Sequence, residues 1–275
     1  MIKVFYNLVK DSLDRITHGS KKYHLWMALL TFIMLIGMYC YSIQLKEGLS
    51  ATGMTDKVSW GLYISNFTFL VGIAAAAVML VMPTYVLKDI DFKQAVLIGE
   101  GVAVAALVMC MAFVIADMGG PAVLWHMIPG IGVFNFPNSM LTWDVLALTG
   151  YLIINISIPF YILFRHYQGK KAKKNVYLPG ALISVFWAVS IHLVTAFLYQ
   201  GLQAKPFWNN ALLGPRFLAS AFAAGPALII LVLAFIRSHT LFSIPDKTIK
   251  KLAMVVTVAA QINLIMLFSE LFKEF

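Results

Sequence analysis

Seven long apolar segments constrain the fold of this chain more than any other feature of its sequence. Hydrophobic residues make up 61% of the 275 residues, and the mean hydropathy is +0.84. The segments run over residues 24–45, 58–82, 95–117, 142–163, 178–199, 217–236 and 252–268. A helix needs roughly 20 residues to cross the hydrocarbon core of a bilayer, whereas a barrel strand needs only about 10. The sequence therefore predicts an all-α protein, a polytopic transmembrane helical bundle with seven spans.

Lysine and arginine are divided unevenly between the loops that join these segments. If the N-terminus is cytoplasmic, the inner segments carry 16 of the 21 Lys and Arg residues and the outer segments carry 5. Basic residues resist translocation, so this bias predicts that the N-terminus is cytoplasmic. The net charge of +9 is then a signal of topology. A nucleic-acid-binding function is disfavoured, because the cations are spread over four short segments and form no single basic face.

The first 23 residues differ from the rest of the chain. Val4, Phe5, Leu8, Leu13 and Ile16 lie between charged residues, which predicts an amphipathic lead-in on the inner membrane surface. This stretch has no short apolar core followed by a small-residue cleavage site, so we expect no signal peptide. We therefore divide the chain into a lead-in over residues 1–23 and a transmembrane domain over residues 24–275.

The two cysteines, Cys40 and Cys110, both lie within predicted spans and far apart in sequence. No CxxC pair is present, and no Cys and His residues have the spacing of metal ligands. The sequence therefore gives no basis for an iron–sulfur cluster or a zinc site in this chain. Buried thiols at these positions are most simply small apolar side chains.

The predicted outer loop over residues 118–141 stands out by its composition. It contains no Lys or Arg but is rich in Gly, Pro and aromatic residues, including Gly119-Gly120-Pro121, Trp125-His126 and Pro129-Gly130. A loop this apolar is poorly suited to bulk water. We expect it to fold back onto the bundle and to cover a pocket at the outer face, where functional residues concentrate on rigid scaffolds.

Three ordered motifs point to one family. The loop reads Asp117-Met-Gly-Gly-Pro121, then Trp125-His126, then Asn135-Phe-Pro-Asn-Ser139 and, shortly after, Trp143-Asp144. The second span begins Ser59-Trp60-Gly61-Leu-Tyr63, and the sixth is entered by Gly214-Pro215-Arg216-Phe217. As an ordered set over most of residues 55–235, these motifs resemble the polysulfide reductase membrane-subunit family, the NrfD-like proteins. The member found in the membrane complex associated with dissimilatory sulfite reductase is the most similar type.

The resemblance implies a fold of two four-helix bundles with about eight to ten helices. Seven spans would leave the second bundle incomplete, so we expect that helices are missing from this chain. The chain also departs from the family at one point. Members commonly carry an Arg shortly after the proline of the Asp-Gly-x-Pro turn, whereas Ala122 and Val123 stand here.

The resemblance further implies a multi-pass subunit in the cytoplasmic membrane of a prokaryote. Such a subunit exchanges electrons between a quinone, either menaquinone or ubiquinone, and a ferredoxin-like iron–sulfur subunit on the outer face. Other membrane and cytochrome subunits would complete the complex, and electron transfer could be coupled to proton translocation. The quinone is an exchangeable substrate, so no resident cofactor is implied.

Acidic residues within a bilayer are costly and need an explanation. Glu100 lies about one and a half turns inside the third span, near the inner side, where it could admit protons from the cytoplasm. The alternative is an acid that forms hydrogen bonds between helices. Asp117 ends the same span at the outer side, where the family motif favours a function. Alternatively, an Asp before Gly-Gly-Pro ties a turn through its own side chain.

His126 and Asp144 are the residues that we predict to act on the quinone. Quinol oxidation needs groups that hydrogen-bond the ring oxygens and accept protons, and an imidazole and a carboxylate at one depth suit this chemistry. We expect the ring to bind between the second and fourth spans, beneath residues 125–138. The alternatives are an Asp144 that stabilises a helix N-terminus and a surface histidine.

Further residues are candidates for contact with the quinone. Trp125, Trp143 and Tyr63 could stack on the ring, although aromatic residues are common at membrane interfaces anyway. Asn135, in the loop motif, and His192, in the fifth span, complete the set; His192 could instead be a core histidine bonded to a neighbour.

Several polar and small residues favour a structural interpretation. We expect Arg216 to extend to the outer interface and Gln261 and Asn263 to form interhelical hydrogen bonds. The four-residue spacing of Gly72 and Ala76 predicts close helix packing.

Two other classes of membrane protein stay open at this stage. A haem b cytochrome needs two axial histidines that face each other from different helices, and only His126 and His192 have similar predicted depths. A secondary transporter often has broken helices and repeated halves. Pro159 and Pro226 could break helices, but no convincing repeat accompanies them. A visible absorption spectrum would identify the cytochrome, and quinone-linked activity would separate a redox subunit from a transporter.

Overall fold

The computed structural model describes residues 2–55, 57–58, 60–93, 95–202, 205 and 207–274. Ser59 of the second-span motif and Pro206 of the aromatic run 206–208 are outside the described residues. The described part of the chain is helical, with no named strand. Its main helices are α1 (Ile2–Thr17), α2 (Lys21–Glu47), α3 (Leu62–Val86), α4 (Val96–Asp117), α5 (Met140–Tyr167), α6 (Lys174–Gln200), α7 (Leu213–His239) and α8 (Asp246–Glu274).

Within the described residues, the seven helices α2 to α8 are long and apolar enough to cross a membrane. This finding confirms the predicted seven-span, all-α fold. Several helices extend beyond the predicted apolar segments. For example, α6 begins at Lys174 and α7 ends at His239, because charged residues at the membrane surface continue a helix whose apolar centre lies in lipid.

Helix α3 is irregular and lies four residues further along the chain than predicted. It begins at Leu62, after Gly61, and it changes to a 3₁₀ turn at Ala75–Ala77 and to a π-helical turn at Met82–Val86. Pro83 lies at the start of this wider turn, in which the backbone N–H of Leu87 donates to the carbonyl of Met82 at 3.1 Å. The wider turn accommodates Pro83, so the helix does not end at residue 82.

Helices α3 to α6 form a four-helix unit, and α7 packs against both α3 and α6. Helix α8 packs mainly on α7, and most of its surface is exposed. We call the end that carries Pro121–Met127 the predicted outer end, and the end that carries Ile90–Phe92 the predicted inner end. All site positions below are given relative to these two ends.

Small residues allow α3 and α7 to approach closely. A Cβ atom added at Gly225 would lie 2.5 Å from the Cβ of Ala76 and 2.9 Å from the carbonyl oxygen of Gly72. A Cβ atom at Gly72 would lie 3.6 Å from the Cα of Ala221. The close packing predicted from Gly72 and Ala76 is confirmed, and the residues on the partner helix are also small.

Helix α2 is attached to the bundle mainly by one buried polar residue. The Gln44 side chain donates to the carbonyl of Ala116 at 2.6 Å and accepts from the hydroxyl of Tyr63 at 2.7 Å. The remaining surface of α2 is largely exposed and apolar, as suits contact with lipid.

Two contacts order the predicted inner end. The Tyr167 hydroxyl donates to Asp11 at 2.7 Å, which ties the amphipathic helix α1 to α5. Lys251 forms ion pairs with Asp89 and Asp91, and it holds the pKa of the Asp89 carboxyl below its usual range. The helical lead-in is thus present, and its position on the inner membrane surface stays a prediction.

Candidate functional site

A polar cavity of about 390 Å³ lies between α3, α6, α7 and α8, towards the predicted outer end. We call it the His192 cavity. Its lining combines hydroxyl, imidazole, amide and guanidinium groups with aromatic rings. The lining residues are Ser65, Thr68, Phe69, Gly72, His192, Tyr199, Phe207, Trp208, Leu213, Arg216, Phe217, Ser220, Ala221, Ala224 and Asn263.

His192 is a deeply buried polar residue of this lining, with 1% of its surface exposed. It lies eight residues before the end of α6, about 12 Å from that end at 1.5 Å per residue. Its Nδ1 atom is 2.7 Å from the carbonyl oxygen of Ala188. Its Nε2 atom is buried and has no hydrogen-bond partner among the described residues.

A pair of hydroxyl groups forms another part of the wall. The hydroxyls of Thr68 and Tyr199 are 2.5 Å apart and connect α3 to α6. The Tyr199 ring packs edge-on against Trp60, Trp208 and Phe217, at centroid distances of 4.9, 5.0 and 5.5 Å. These aromatic contacts hold the phenol in a fixed position at the cavity wall.

Arg216 connects the cavity to α8. Its guanidinium is paired with Glu270, a carboxylate with no exposed surface, and it lies over the Phe207 ring at 5.5 Å from the centroid. The position of Arg216 at the outer interface stays a prediction, and the structure adds that an acid of α8 pairs with its guanidinium. Asn263 of α8 also lines the cavity, and its Oδ1 atom has no partner among the described residues.

Asp144 lies next to the turn of α6 that carries His192. It is 1% exposed, and its Oδ1 accepts a hydrogen bond of 3.1 Å from the hydroxyl of Thr195. The other oxygen, Oδ2, has no partner among the described residues. Since Asp144 is the fifth residue of α5 and faces α6, a role in capping the helix does not account for its position.

A smaller cavity of about 110 Å³ adjoins Asp144 between α4 and α5. We call it the Asp144 cavity. Leu124 and Met127 cover it, so residues 121–127 do fold over a pocket as expected. The rest of the loop is largely exposed, including Val133 at 82%.

His126 is not part of the described lining of the Asp144 cavity. It is exposed, and its ring contacts that of Trp125 at 3.9 Å between centroids. His126 is thus an exposed residue of the segment 121–127 that covers the cavity, whereas Asp144 lines the cavity beneath that segment. Their joint action on a quinone stays a prediction.

The other predicted contact residues are dispersed. Trp143 donates from its indole to the carbonyl of Pro137 at 2.9 Å and lines an apolar groove of about 660 Å³ between α5 and α6. Tyr63 anchors α2 through Gln44, and Asn135 is exposed in the loop. Neither of these two residues is in the lining of the His192 cavity, the Asp144 cavity or the groove.

Two further acids occupy opposite ends of α4. Asp117 is half-buried, and its Oδ1 has no partner among the described residues. Glu100, 2% exposed, lies in the inner half beside Tyr85, and its Oε2 has no partner among the described residues. Tyr85 also lines a cavity of about 230 Å³ at the predicted inner end, together with Thr84, Lys88, Asp89, Lys93 and Tyr177. Glu100 thus lies beside a residue that lines a charged cavity.

Among the described residues, no three His, Cys, Asp or Glu side chains are grouped so that they could hold a metal ion. His126 and His192, the pair considered for haem, are an exposed loop residue and a buried residue whose Nδ1 faces a backbone carbonyl. The expectation that the chain binds no metal or redox cofactor stays a prediction.

Comparison with known proteins identifies the family to which this architecture belongs. The family model described as "Polysulphide reductase, NrfD" matches residues 50–273, which is most of the chain. The chain belongs to the NrfD family. The resemblance seen in the loop and span motifs is thus confirmed, and the chain is an integral membrane protein.

Three relatives illustrate the range of NrfD proteins that this chain is similar to. One is a selenate reductase subunit of Mesobacillus selenatarsenatis, 23% identical over 90% of this chain and 64% of the relative. Another is the Hdr-like menaquinol oxidoreductase integral membrane subunit of Archaeoglobus fulgidus, 25% identical over 88% and 58%. The third is the menaquinone reductase integral membrane subunit of Nitratidesulfovibrio vulgaris, 24% identical over 80% and 55%. The chain thus spans less than two thirds of the length of these NrfD relatives.

Sequence reasoning missed some residues of the site. Thr195 and Tyr199 are ordinary helix residues in sequence, although Thr195 lies three positions after His192 and so shares its helix face. Thr68 and Glu270 gave no comparable signal, because their partners are 131 and 54 residues away in the chain.

Proposed function

We propose that this chain is the quinone-interacting, integral-membrane subunit of a respiratory electron-transfer complex. Family membership and the names of two relatives, a menaquinol oxidoreductase subunit and a menaquinone reductase subunit, support the class. The observation that carries the proposal for this chain is the His192 cavity, in which a buried imidazole offers an unpartnered nitrogen.

The His192 cavity has the size and chemistry that a quinone ring needs. Its volume of about 390 Å³ falls within the roughly 300–1,000 Å³ of typical ligand pockets. Phe69, Trp208 and Phe217 supply apolar faces for a planar ring, and His192 and Tyr199 supply polar atoms for its oxygens. Phe69 and Ser220 are exposed within the apolar helices α3 and α7. In this proposal, a ligand with a lipid tail enters the cavity between them from the bilayer.

The neighbouring acid suits proton transfer. Oxidation of a quinol to a quinone releases two electrons and two protons. We propose that His192 Nε2, which has no partner among the described residues, takes one proton from a ring hydroxyl. Asp144 supplies a second basic group in the same layer, because it accepts a hydrogen bond from Thr195, which lies one turn after His192 on α6. In this proposal, His192 binds the ring and Asp144 accepts protons at a distance.

The electrons need an acceptor or donor outside this chain. We propose a ferredoxin-like iron–sulfur subunit on the outer face, together with other membrane and cytochrome subunits. The cavity lies towards the predicted outer end, which keeps the electron-transfer distance to such a partner short. Trp125, Ile131 and Val133 are exposed at that end, as suits a protein contact. We propose the prokaryotic cytoplasmic membrane as the location, with the N-terminus cytoplasmic.

The second candidate for the quinone-binding site is the one predicted from sequence. It is the Asp144 cavity, which lies beneath residues 121–127, the segment that contains His126. Its volume of about 110 Å³ is below the usual range for ligand pockets. Binding there would require Leu124 and Met127 to move outward.

A cavity-filling substitution tests the proposed site. Ala224 of α7 lines the His192 cavity, so Ala224→Phe should occupy the space of the ring. Ala223, its neighbour, is half-buried and is not part of the described lining, so Ala223→Phe is a matched control for added bulk. Quinone-linked electron transfer by the native complex should be lost in Ala224→Phe and kept in Ala223→Phe. Equal activity in both variants, with normal assembly, would contradict the proposed site.

A further inference from the structure

We propose that the charged cavity at the predicted inner end binds the phosphate group of an anionic phospholipid. We call this cavity of about 230 Å³ the Lys88 cavity. Its lining comes from the end of α3, the segment that leads to α4 and the start of α6. It lies at the opposite end of the bundle from the His192 cavity, and the two sites are independent.

The lining of the Lys88 cavity carries more positive than negative charge. Lys88 and Lys93 are both exposed, and neither forms an ion pair within the described part of the chain. Asp89 is the acid of the lining, and Lys251 of α8 pairs with it and with Asp91. With two lysines and one acid, and with that acid already paired, the wall attracts an anion.

Lys88 has an unusual backbone conformation. Its φ angle is +58°, and in the described part of the chain no other non-glycine residue has a positive φ. The backbone N–H of Asp89 donates to the carbonyl of Pro83 at 2.9 Å and closes the wide last turn of α3 across Lys88. Glycine usually occupies the left-handed position after a helix, because a side chain there is strained. The lysine therefore keeps a charged side chain in the cavity wall at a cost in backbone strain, which is typical of functional sites.

The segment that carries both lysines is fixed to the bundle. Besides its ion pairs with Asp89 and Asp91, Lys251 lies over the Phe92 ring at 5.5 Å from the centroid. The backbone N–H of Asp91 donates to Asp89 Oδ1 at 3.1 Å. These contacts hold the segment in one conformation, so the cavity is formed without a ligand.

The Lys88 cavity lies where the ends of two spanning helices meet the charged surface. Tyr85 of α3 and Tyr177 of α6 line it, with ring centroids 5.2 Å apart, and tyrosine is typical of the headgroup level of a membrane. Leu87 and Val176, which adjoin lining residues in sequence, are apolar and exposed. A phospholipid suits this surface, because its acyl chains can cover apolar side chains while its phosphate enters the cavity.

The predicted topology favours a lipid of the cytoplasmic leaflet. That leaflet carries anionic lipids, and basic pockets between transmembrane helices on the cytoplasmic side bind phosphate headgroups. A free phosphate ion shares the headgroup chemistry, but it has no apolar part that could contact Leu87 and Val176. We therefore assign the cavity to the lipid.

Binding of fluorescently labelled phosphatidylglycerol to the purified native complex in detergent tests the site. A lysine near an anionic headgroup strengthens binding about fivefold, so the double variant Lys88→Ala with Lys93→Ala should bind the probe about 25-fold more weakly. Lys170→Ala with Lys171→Ala removes the same charge from an exposed loop at the same end and should leave the affinity nearly unchanged. Equal losses in the two double variants, or no loss in either, would overturn the proposal.

Competition distinguishes the two sources of phosphate. Unlabelled phosphatidylglycerol should displace the probe from the wild type. Potassium phosphate should displace it no more than potassium chloride of equal ionic strength does. Stronger displacement by potassium phosphate would assign the cavity to free phosphate and overturn the assignment to a lipid.

Two further measurements separate a loss of binding from a loss of folding. Glycine adopts a φ of +58° without strain, so Lys88→Gly should not lower the melting temperature of the complex, whereas its affinity for the probe should fall about fivefold. A photoreactive phosphatidylglycerol can be mapped on the wild type without any variant. Labels near Lys88 and Tyr177 that unlabelled lipid suppresses would support the site, and labels found only elsewhere would contradict it.

Discussion

The hydroxyl of Thr195 donates a hydrogen bond of 3.1 Å to the buried carboxylate of Asp144. The same hydroxyl contacts the carbonyl of Ile191 at 2.8 Å, so Asp144 is joined to the turn of α6 that holds His192. The acid and the imidazole predicted from sequence to contact the quinone are thus neighbours in one layer of the bundle. In the proposed function, this relationship lets Asp144 accept protons beside the ring site.

Replacement of Asp144 by Asn tests this role. The amide keeps the shape and the contact with Thr195 but cannot accept a proton, so turnover should fall by roughly a hundredfold. Assembly of the complex should survive, because the amide is nearly isosteric. Turnover and complex assembly are measured on the same membranes.

His126→Ala separates the two candidate locations of the quinone ring. A loss of turnover comparable to that of Asp144→Asn would favour the site beneath residues 121–127, whereas near-normal turnover favours the His192 cavity.

A further prediction concerns the role of Glu100 in proton uptake from the cytoplasm. Glu100 lies in the inner half of α4 beside Tyr85, which lines a charged cavity at the predicted inner end. If it admits protons from the cytoplasm, Glu100→Gln should weaken proton uptake while quinone binding stays near normal. The number of protons moved per electron, measured in reconstituted vesicles, distinguishes the two roles. An unchanged ratio would indicate that Glu100 serves helix packing.

The topology is testable by labelling from each side of the membrane. In a parent chain with Cys40 and Cys110 replaced by Ala, Lys171→Cys should react with an impermeant thiol reagent only from the cytoplasm. Val133→Cys, at a position that is 82% exposed, should react only from outside. Reaction of position 171 from outside would reverse the predicted orientation and, with it, the face on which partners are expected.

The partner prediction concerns the predicted outer end. An iron–sulfur subunit should crosslink to the exposed loop residues, including Trp125 and Val133, in the native complex. Val133→Asp places a charge in this surface and should weaken assembly, whereas Val176→Asp, exposed at the other end, should not. Attachment of a cluster protein only near Lys170–Lys174 would contradict the docking model.

The fold was predictable because each span has its own apolar run. Lipid demands that every span satisfies its backbone internally, so helix number follows from local sequence. The helix ends were less predictable, because charged residues such as Lys174 continue a helix beyond its apolar centre. The π-helical turn at Pro83 could not be predicted from sequence either, since it depends on how α3 packs.

The site was predictable only in part. Burial and polarity identified Asp144 and His192 as unusual residues for a membrane helix, and both lie in the candidate site. Their neighbours depend on helix register, which apolar segments do not specify. Arg216 and Glu270, for example, pair across 54 residues of sequence.

Photolabelling with an azido-quinone most directly tests the claim that the ring binds in the His192 cavity. The native complex is illuminated with the probe, with and without excess unlabelled quinol, and the labelled residues are mapped by mass spectrometry. The account predicts labels that quinol suppresses on α3 and α7, near Phe69, Phe217 and Ala224. Labels found only at Leu124–Met127, or an absence of quinol-suppressed labels near Phe69, Phe217 and Ala224, would contradict this claim.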